Sequence, residues 1–233
     1  MTMRDDDAAM SSDYFANHAR ARQFPWTLYH GPLERDLARF LGRVAAEHPR
    51  GEVLVLGCGL LHEIDAAPDG LRFHVADIDE RAVAAVLARR DPRITGGTVV
   101  DPEQPIDRSL GRRLGQSLAH GAAHRFAAIY AKEVVEHVLA WPAWLVGLRR
   151  ALVGGGRLWL STPNYGEPWL AAIESTVLEV VARRSGFSRR DLHPTRFSRR
   201  ALARGLVAAG FEDVEVKVTP TRLALTSWSR APR

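Results

Sequence analysis

Residues 52–59 read EVLVLGCG, a short apolar run that ends in a glycine turn. A run of this length, bounded by glycine, is typical of a fully buried strand. Ligands of doubly wound α/β sheets bind beyond the carboxyl ends of such strands, where glycine lets the backbone come close to them. The same turn also occurs for packing reasons alone, so these glycines indicate a binding loop only together with other signals.

Strand and helix patterns alternate along the rest of the chain. Further strands are predicted at residues 71–76, 98–100, 125–131 and 157–161, and helices at residues 32–46, 80–89, 141–152 and 198–209. Two last strand patterns, residues 211–218 and 222–228, are joined by three residues, too few for a crossover helix. We therefore predict an α/β fold with a doubly wound, seven-stranded, mostly parallel sheet, an antiparallel C-terminal hairpin and a helical cap insertion.

These patterns divide the chain into four regions. Residues 1–49 are predicted to be an N-terminal tail and helix, and residues 50–164 a Rossmann-like cofactor-binding core. Residues 165–197 have helical periodicity and interrupt the alternation, so they either cap the site or extend the core. Residues 198–233 supply a helix and the strand hairpin that complete the core.

The composition is that of an ordinary globular protein, with 46% hydrophobic and 25% charged residues, which excludes a disordered chain. Cys58 is the only cysteine, and the chain starts with a polar, acidic stretch. We therefore expect a cytoplasmic protein with no disulfide and no membrane span. The net charge of +5 comes from scattered arginine pairs, which favour a solvated face over a nucleic-acid surface. The oligomeric state is left open.

Acidic residues follow the second predicted strand, in the order Asp77-Ile78-Asp79. An acid about 20 residues after the glycine turn is placed to accept hydrogen bonds from ribose hydroxyls. Either aspartate alternatively caps the helix that follows. We favour Asp77 as the ribose ligand and Asp79 as the cap. Position 62 is His, so the chain lacks the Gly-x-Gly-x-x-Gly pattern of dinucleotide enzymes.

The segments FAAIYAKEVVEHV (126–138) and LRRALVGGGRLWLSTPN (148–164) carry a more specific pattern. They contain a strand, a Glu-His turn, a helix, a Gly-Gly hairpin and a strand ending in Thr-Pro-Asn. With the glycine turn they resemble the class I S-adenosylmethionine-dependent methyltransferase superfamily over residues 50–162. The pattern is similar to the branch that contains ubiquinone-pathway O-methyltransferases.

The resemblance implies S-adenosyl-L-methionine as the cofactor. By the same resemblance, the glycine turn faces the methionine part of the cofactor, Asp77 binds the ribose, Asp101 contacts the adenine region, and Lys132 lies against the cofactor. The residues implied to bind the cofactor are Gly57, Cys58, Gly59, Asp77, Ile78, Asp101 and Lys132.

The chain departs from the family pattern at two positions of the glycine turn. The family usually has an acid two residues before the first glycine, where this chain has Val55. Its loss should weaken the hold on the methionine ammonium unless Glu63 substitutes for it. The family's third glycine is Leu61 here, and this side chain should crowd the loop. Both departures keep open a cofactor-binding protein without catalysis.

Glu133, Glu136 and His137 stand at i, i+3 and i+4, so they share one face if this segment is helical. His193 follows later, just before the last predicted helix. Two carboxylates and two imidazoles can hold a divalent ion such as Mg²⁺ or Mn²⁺. The set resembles metal-dependent methyltransferases, including ubiquinone-pathway enzymes and small-RNA 2′-O-methyltransferases.

A metal-free interpretation of the same residues is also open. The Glu-His turn occurs in metal-free relatives, where it stabilises a helix start or lines the acceptor pocket. His137 or His193 would then act as a general base, because imidazole titrates near neutrality.

The leading functional hypothesis is O-methylation of a small molecule. The alternatives are 2′-O-methylation of RNA and cofactor binding without catalysis. Four aromatic residues are candidates for lining the acceptor pocket, although each is as compatible with the core: Trp26, Tyr29, Tyr165 and Trp169.

Asp77→Ala is expected to weaken the binding of S-adenosylhomocysteine far more than Asp79→Ala. Asp77 would lose charge-assisted ribose hydrogen bonds of about 1.5–3 kcal/mol, whereas Asp79 would lose only a helix cap. Calorimetric titration of the two variants measures the difference. Equal affinities of the two variants would show that the end of the second predicted strand is assigned to the wrong residue.

Overall fold

The computed structural model describes residues 26–101, 126–168 and 193–233, together with Ile106 and Leu110. The helices with defined bounds in these ranges are α1 (Trp26–Glu47), α2 (Glu80–Ala88), α3 (Trp141–Ala151) and α4 (Arg199–Ala208). Two short 3₁₀ turns are η1 (His62–Ala66) and η2 (Val135–His137). Most of the predicted cap, residues 169–192, and most of the predicted tail, residues 1–25, lie outside the described residues.

Seven strands form one sheet in the order β3-β2-β1-β4-β5-β7-β6. Their bounds are β1 (Glu52–Leu56), β2 (Arg72–Asp77), β3 (Ile94–Val99), β4 (Phe126–Lys132), β5 (Leu152–Pro163), β6 (Glu212–Val218) and β7 (Ala224–Arg230). The first five strands pair in parallel, and β7 is antiparallel to both β5 and β6. The predicted fold class and its C-terminal hairpin are therefore confirmed.

Successive residues of β1 face opposite sides of the sheet, because side chains alternate along a strand. Val53 and Val55 pack in the cluster that holds the apolar stripe of α1. Leu54 and Leu56 pack in the cluster that holds residues of α3 and α4. Burial on both faces explains why this strand is a continuous apolar run.

Several elements extend beyond their predicted bounds, α1 and β5 among them. α1 begins at Trp26, so Pro32 lies inside the helix, where it cannot donate a hydrogen bond to the preceding turn. β5 begins at Leu152 and includes the glycine triplet, at a register shift in its pairing with β4. Glycine is required there, since a Cβ on Gly156 would lie 2.9 Å from the carbonyl oxygen of Val153.

The buried carboxylate of Asp36 fixes α1 to the sheet. Its Oδ2 accepts hydrogen bonds from the indole nitrogens of Trp159 on β5 and Trp228 on β7, at 2.9 and 2.8 Å. Its Oδ1 accepts from Arg39 at 3.1 Å. Asp36 is only 4% exposed, so these donors compensate a carboxylate that is removed from water.

A second contact fixes the other end of α1. Glu47, the last residue of the helix, forms a two-point ion pair with Arg157 of β5. The hydrogen bond from Arg157 is the main reason that the pKa of Glu47 falls to about 2. Among the described residues, every helix is too short or too polar to cross a bilayer.

Asp36→Ala is expected to lower the free energy of unfolding by about 3 kcal/mol, because the buried indole N–H of Trp159 and the partly buried indole N–H of Trp228 lose their acceptor. Urea denaturation measures this loss. The matched control is Arg39→Ala, which breaks only the ion pair to the other carboxylate oxygen. The Arg39 side chain is 72% exposed, so we expect a change below about 1 kcal/mol. Equal losses in the two variants would show that the indole bonds do not fix the helix.

Candidate active site

The carboxyl ends of the parallel strands meet at one edge of the sheet. β1 lies between β2 and β4, which is the point where the strand order reverses. Doubly wound sheets bind ligands at this switch point. The residues that the sequence predicts to contact the cofactor lie at the ends of β2 and β4 or in the turns after β1, β2 and β3.

The turn after β1 is held over the end of β2. The amides of Gly57 and Cys58 donate to the carbonyl of Ala76 at 2.9 and 3.3 Å. Gly57 has a φ of +67°, and a Cβ there would lie 2.5 Å from a methyl of Val134. Glycine at this position is therefore required by the backbone and by packing, whether or not a ligand is bound.

Asp77 ties the glycine turn to β2. Its carboxylate is 2% exposed and accepts hydrogen bonds from the amides of Gly59 and Asp79, both at 3.0 Å. The ribose contact of Asp77 stays a prediction, and the loss of this carboxylate would also loosen the turn. Asp79 caps α2 by accepting from the amide of Arg81 at 2.9 Å, which confirms the predicted cap.

Three other predicted cofactor residues are Cys58 within this turn, Ile78 after β2 and Asp101 after β3. Burial and the neighbouring Asp77 carboxylate raise the pKa of the Cys58 thiol, so Cys58 stays protonated and is not a nucleophile. Ile78 is 63% exposed and presents apolar surface directly after β2. Asp101, after β3, is also exposed. The cofactor contacts of these three residues stay predictions.

Leu61, which stands where the family pattern has its third glycine, is buried beside the loop, and the expected crowding of the loop stays a prediction. Its φ is +49°, the left-handed conformation that a glycine would adopt there. Its side chain is 1% exposed and packs in the apolar cluster that contains Ile64. A left-handed leucine costs about 1–2 kcal/mol, whereas full burial of its side chain contributes about 1.5–3 kcal/mol. The burial thus offsets the strain.

Lys132, the last residue of β4, forms an ion pair with Glu63 of η1. The two side chains are 21% and 10% exposed. They line a cavity beside the glycine turn together with Val55 and Tyr130. Glu63 therefore places a carboxylate near the position where the family pattern has an acid at residue 55. Tyr130 is not marked by any sequence signal, because its position fits an ordinary buried strand residue.

Glu133 faces a different set of partners, so helical spacing does not unite it with Glu136 and His137. Its φ of +57° turns the chain after β4, and only Val135–His137 form a single 3₁₀ turn. The hydroxyl of Tyr29 donates to Glu133, as does that of Ser161 at 2.8 Å. Burial and Glu133 keep the pKa of Tyr29 well above its usual value, so Tyr29 stays a donor. The sequence contains no signal for Ser161, since serine commonly ends a strand.

Glu136, His137 and His193 lie together. One potential ligand atom from each lies within 4.8 Å of the others. The centroids of the two imidazole rings are 4.9 Å apart, and Glu136 is 1% exposed. The structure thus brings three of the four predicted metal residues together, and Glu133 lies outside this group. Their roles as ligands or bases stay predictions.

Hydrogen bonds from the segment that precedes α4 position His193. The amide of Thr195 donates to the carbonyl of Glu136, and its hydroxyl donates to that of Val138, both at 3.1 Å. The hydroxyl of Tyr165 lies 2.5 Å from Nδ1 of His193. Tyr165 therefore contacts the site, as does Tyr29. Trp169 and the side chain of Trp26 lie outside the described residues.

Comparisons with known proteins identify the family of the chain. The model of the methyltransferase-domain family matches residues 15–216. No curated protein sequence matches the chain.

Solved structures of three methyltransferases are similar to the chain. The CurJ carbon methyltransferase has a TM-score of 0.61 at 16% identity; the alignment covers 86% of this chain and 54% of that one, about half its length. The N-methyltransferase NodS from Bradyrhizobium japonicum, in complex with S-adenosyl-L-homocysteine, has a TM-score of 0.55 at 18% identity. The alignment covers 91% of this chain and 94% of NodS. The 1,6-didemethyltoxoflavin-N1-methyltransferase of Burkholderia thailandensis, with bound 1,6-didemethyltoxoflavin and S-adenosylhomocysteine, has a TM-score of 0.61 at 17% identity. The alignment covers 100% of this chain and 92% of that enzyme.

The family model covers most of the chain, and the sheet has the predicted seven strands with an antiparallel end. The chain therefore belongs to the methyltransferase-domain family.

Proposed function

We propose that this chain transfers the methyl group of S-adenosylmethionine to a hydroxyl oxygen of a small molecule, with a divalent ion held by Glu136, His137 and His193. The observation that carries the proposal is the convergence of these three side chains. The resemblance to ubiquinone-pathway O-methyltransferases supports the hydroxyl acceptor.

The three side chains fit a divalent ion in number and chemistry. Metal–ligand distances are about 2.0–2.3 Å, so ligands on opposite sides of one ion lie about 4–4.6 Å apart. The three potential ligand atoms lie within 4.8 Å of one another, so the side chains need to move only slightly to reach these distances. One carboxylate and two imidazoles suit Mn²⁺ or Zn²⁺ better than Mg²⁺. Glu133 would become a fourth metal ligand only if its carboxylate gave up the hydrogen bonds from Tyr29 and Ser161.

A divalent ion at this site would lower the pKa of an acceptor hydroxyl as a Lewis acid. The protein's own contribution is alignment, because methyl transfer is an in-line displacement between two held reactants. The contact between Tyr165 and Nδ1 of His193 fixes the orientation of that imidazole, which leaves Nε2 as the atom directed to a ligand. Without an ion, His137 is the better base, because its side chain is 40% exposed and can pass a proton to solvent.

The histidine cluster favours a hydroxyl over an amine acceptor. An amine acceptor is a nucleophile as soon as it is neutral, whereas a hydroxyl must lose its proton during transfer. Groups that bind or polarise the acceptor oxygen therefore have a direct use in O-methylation.

The hydrogen bonds that the arginines form within the protein favour a small-molecule acceptor over RNA. The first member of each described arginine pair donates to a backbone carbonyl. Arg89 bonds to Leu61 at 2.8 Å, Arg149 to Ala209 at 2.8 Å, and Arg199 bonds at 2.9 Å to the carbonyl of residue 216. These guanidinium groups serve the fold, so they are not arranged to contact phosphates.

S-Adenosylhomocysteine is expected to bind and to raise the melting temperature. At a ligand concentration roughly 100-fold above the dissociation constant, mass action adds about 2.7 kcal/mol to the free energy of unfolding. Differential scanning fluorimetry measures the shift. No shift at millimolar ligand would contradict the use of this cofactor.

The wild-type protein is expected to bind one equivalent of Mn²⁺, and EDTA should abolish methyl transfer to a hydroxyl acceptor until Mn²⁺ is restored. His193→Ala should lose the metal, because it removes one of three ligands. The matched control is His48→Ala, since His48 lies at the other end of α1 from the site. Metal content after dialysis provides the measurement. Transfer that resists EDTA would leave His137 as a base in a metal-free enzyme.

A further inference from the structure

We propose that Arg196 binds a carboxylate of the methyl acceptor, so that the substrate is a hydroxy acid rather than a neutral alcohol or phenol. The inference rests on the proposed O-methylation and deepens it, because it names a second functional group by which the acceptor is recognised. Arg196 belongs neither to the predicted cofactor residues nor to the cluster of Glu136, His137 and His193.

Arg196 lies in the short segment that leads from His193 to the start of α4. Hydrogen bonds hold this segment on both sides of Arg196. Thr195 donates to two carbonyls of the chain that follows β4, and the carbonyl of Phe197 accepts from the amide of Tyr165 at 3.0 Å. The side chain of Phe197 is 1% exposed. The backbone of Arg196 is therefore fixed by the same contacts that bring His193 to the site.

The guanidinium of Arg196 lies over the ring of Tyr165, with 5.3 Å between Cζ and the ring centroid. The hydroxyl of this tyrosine lies 2.5 Å from Nδ1 of His193, and the two ring centroids are 6.2 Å apart. One tyrosine thus contacts both the arginine and the imidazole cluster. An acceptor whose hydroxyl lies at the cluster can therefore reach Arg196 with a second group on the same small molecule.

The hydrogen-bond donors of Arg196 are available to a ligand. The side chain is exposed, and within the described part of the chain no carboxylate pairs with it. The ring of Tyr165 attracts the positive charge, while the N–H groups of the guanidinium remain able to bond oxygen atoms. Two other arginines in this part of the fold differ. Arg222 pairs with Glu167 at 2.7 Å, and Arg199 donates to the carbonyl of residue 216 at 2.9 Å.

The charges around the cluster favour an anionic acceptor. A divalent ion at the cluster would carry two positive charges against one carboxylate from Glu136, and the sulfonium of the methyl donor and Arg196 each add another. Glu133 is the next carboxylate along the chain, and it accepts from Tyr29 and Ser161. Even with Glu133 counted, positive charge exceeds negative charge in this place. A carboxylate on the acceptor would compensate part of that excess.

One guanidinium fits a carboxylate better than a phosphate ester. A carboxylate has a single charge and two oxygens in one plane, which the planar N–H groups of arginine can bond together. A phosphate ester carries about 1.5–2 negative charges near neutrality, so one arginine would leave part of its charge uncompensated.

Binding of matched acids and esters tests the proposal. The probes are the meta and para isomers of hydroxybenzoate, whose hydroxyl and carboxylate are too far apart to bind one ion together, and their methyl esters. Each is titrated calorimetrically into protein saturated with S-adenosylhomocysteine in the presence of Mn²⁺. We expect at least one acid to bind about 10-fold or more tightly than its own ester, because the ester cannot form a charge-assisted bond.

Variants of Arg196 assign this preference to one side chain. Arg196→Gln should weaken binding of the acid by about 10- to 100-fold and binding of the ester by less than about 2-fold. Arg196→Lys keeps the charge but not the planar pair of donors, so it should retain a preference of only about 2- to 5-fold for the acid.

The same region of the protein supplies two controls. Arg222→Gln removes an arginine whose side chain is 68% exposed and already paired with Glu167, so the ratio of acid to ester affinity should stay unchanged. Tyr165→Phe keeps the ring beneath Arg196 and removes the hydroxyl at His193, so the preference for the acid should persist. The melting temperature of each variant shows whether it is folded.

The outcomes separate this inference from the proposed function. If the wild type binds S-adenosylhomocysteine but no acid more tightly than its ester, the carboxylate assignment is wrong and the proposed function stands. If Arg196→Gln keeps the full preference, the assignment of Arg196 is wrong. Tighter binding of hydroquinone monophosphate than of either acid would likewise contradict a carboxylate. If the wild type binds neither S-adenosylhomocysteine nor Mn²⁺, the proposed function fails and this inference fails with it.

Discussion

The buried carboxylate of Asp36 determines where α1 lies, and α1 supplies one wall of the site. A carboxylate at 4% exposure needs donors, and the indoles of Trp159 and Trp228 on neighbouring strands provide them. This bridge and the ion pair of Glu47 hold the helix across one face of the sheet. Its first turns consequently reach the carboxyl ends of the strands, where Tyr29 bonds to Glu133.

Left-handed residues shape the turns that leave β1 and β4. Gly57 and Leu61 bracket the first turn, and Glu133 opens the second. Such conformations persist where surrounding contacts outweigh their cost, and they concentrate at ligand sites. Burial of the leucine outweighs the cost in the first turn. In the second turn, the hydroxyl groups of Tyr29 and Ser161 donate hydrogen bonds that hold Glu133 in place.

The end of β4 separates the two parts of the proposed reaction. Lys132 pairs with Glu63 on the side of the glycine turn, where the family resemblance places the methyl donor. The next residue, Glu133, is directed to Tyr29 and Ser161, and the histidine cluster follows directly. In the proposed reaction, adjacent residues at this strand end would therefore serve the methyl donor and the acceptor, which would bring the two reactants together.

Local patterns in the sequence were sufficient for the strands, the C-terminal hairpin and the cap at Asp79, because periodicity, connection length and capping act within a few residues. Only the tertiary structure decided that Leu61 packs into the core, that Glu133 leaves the group of Glu136 and His137, and that His193 joins them. The sequence motif indicated candidate residues for the site. Which candidate residues lie close together depends on packing between elements that are far apart in the chain. A local sequence pattern contains no information about the distances between such elements.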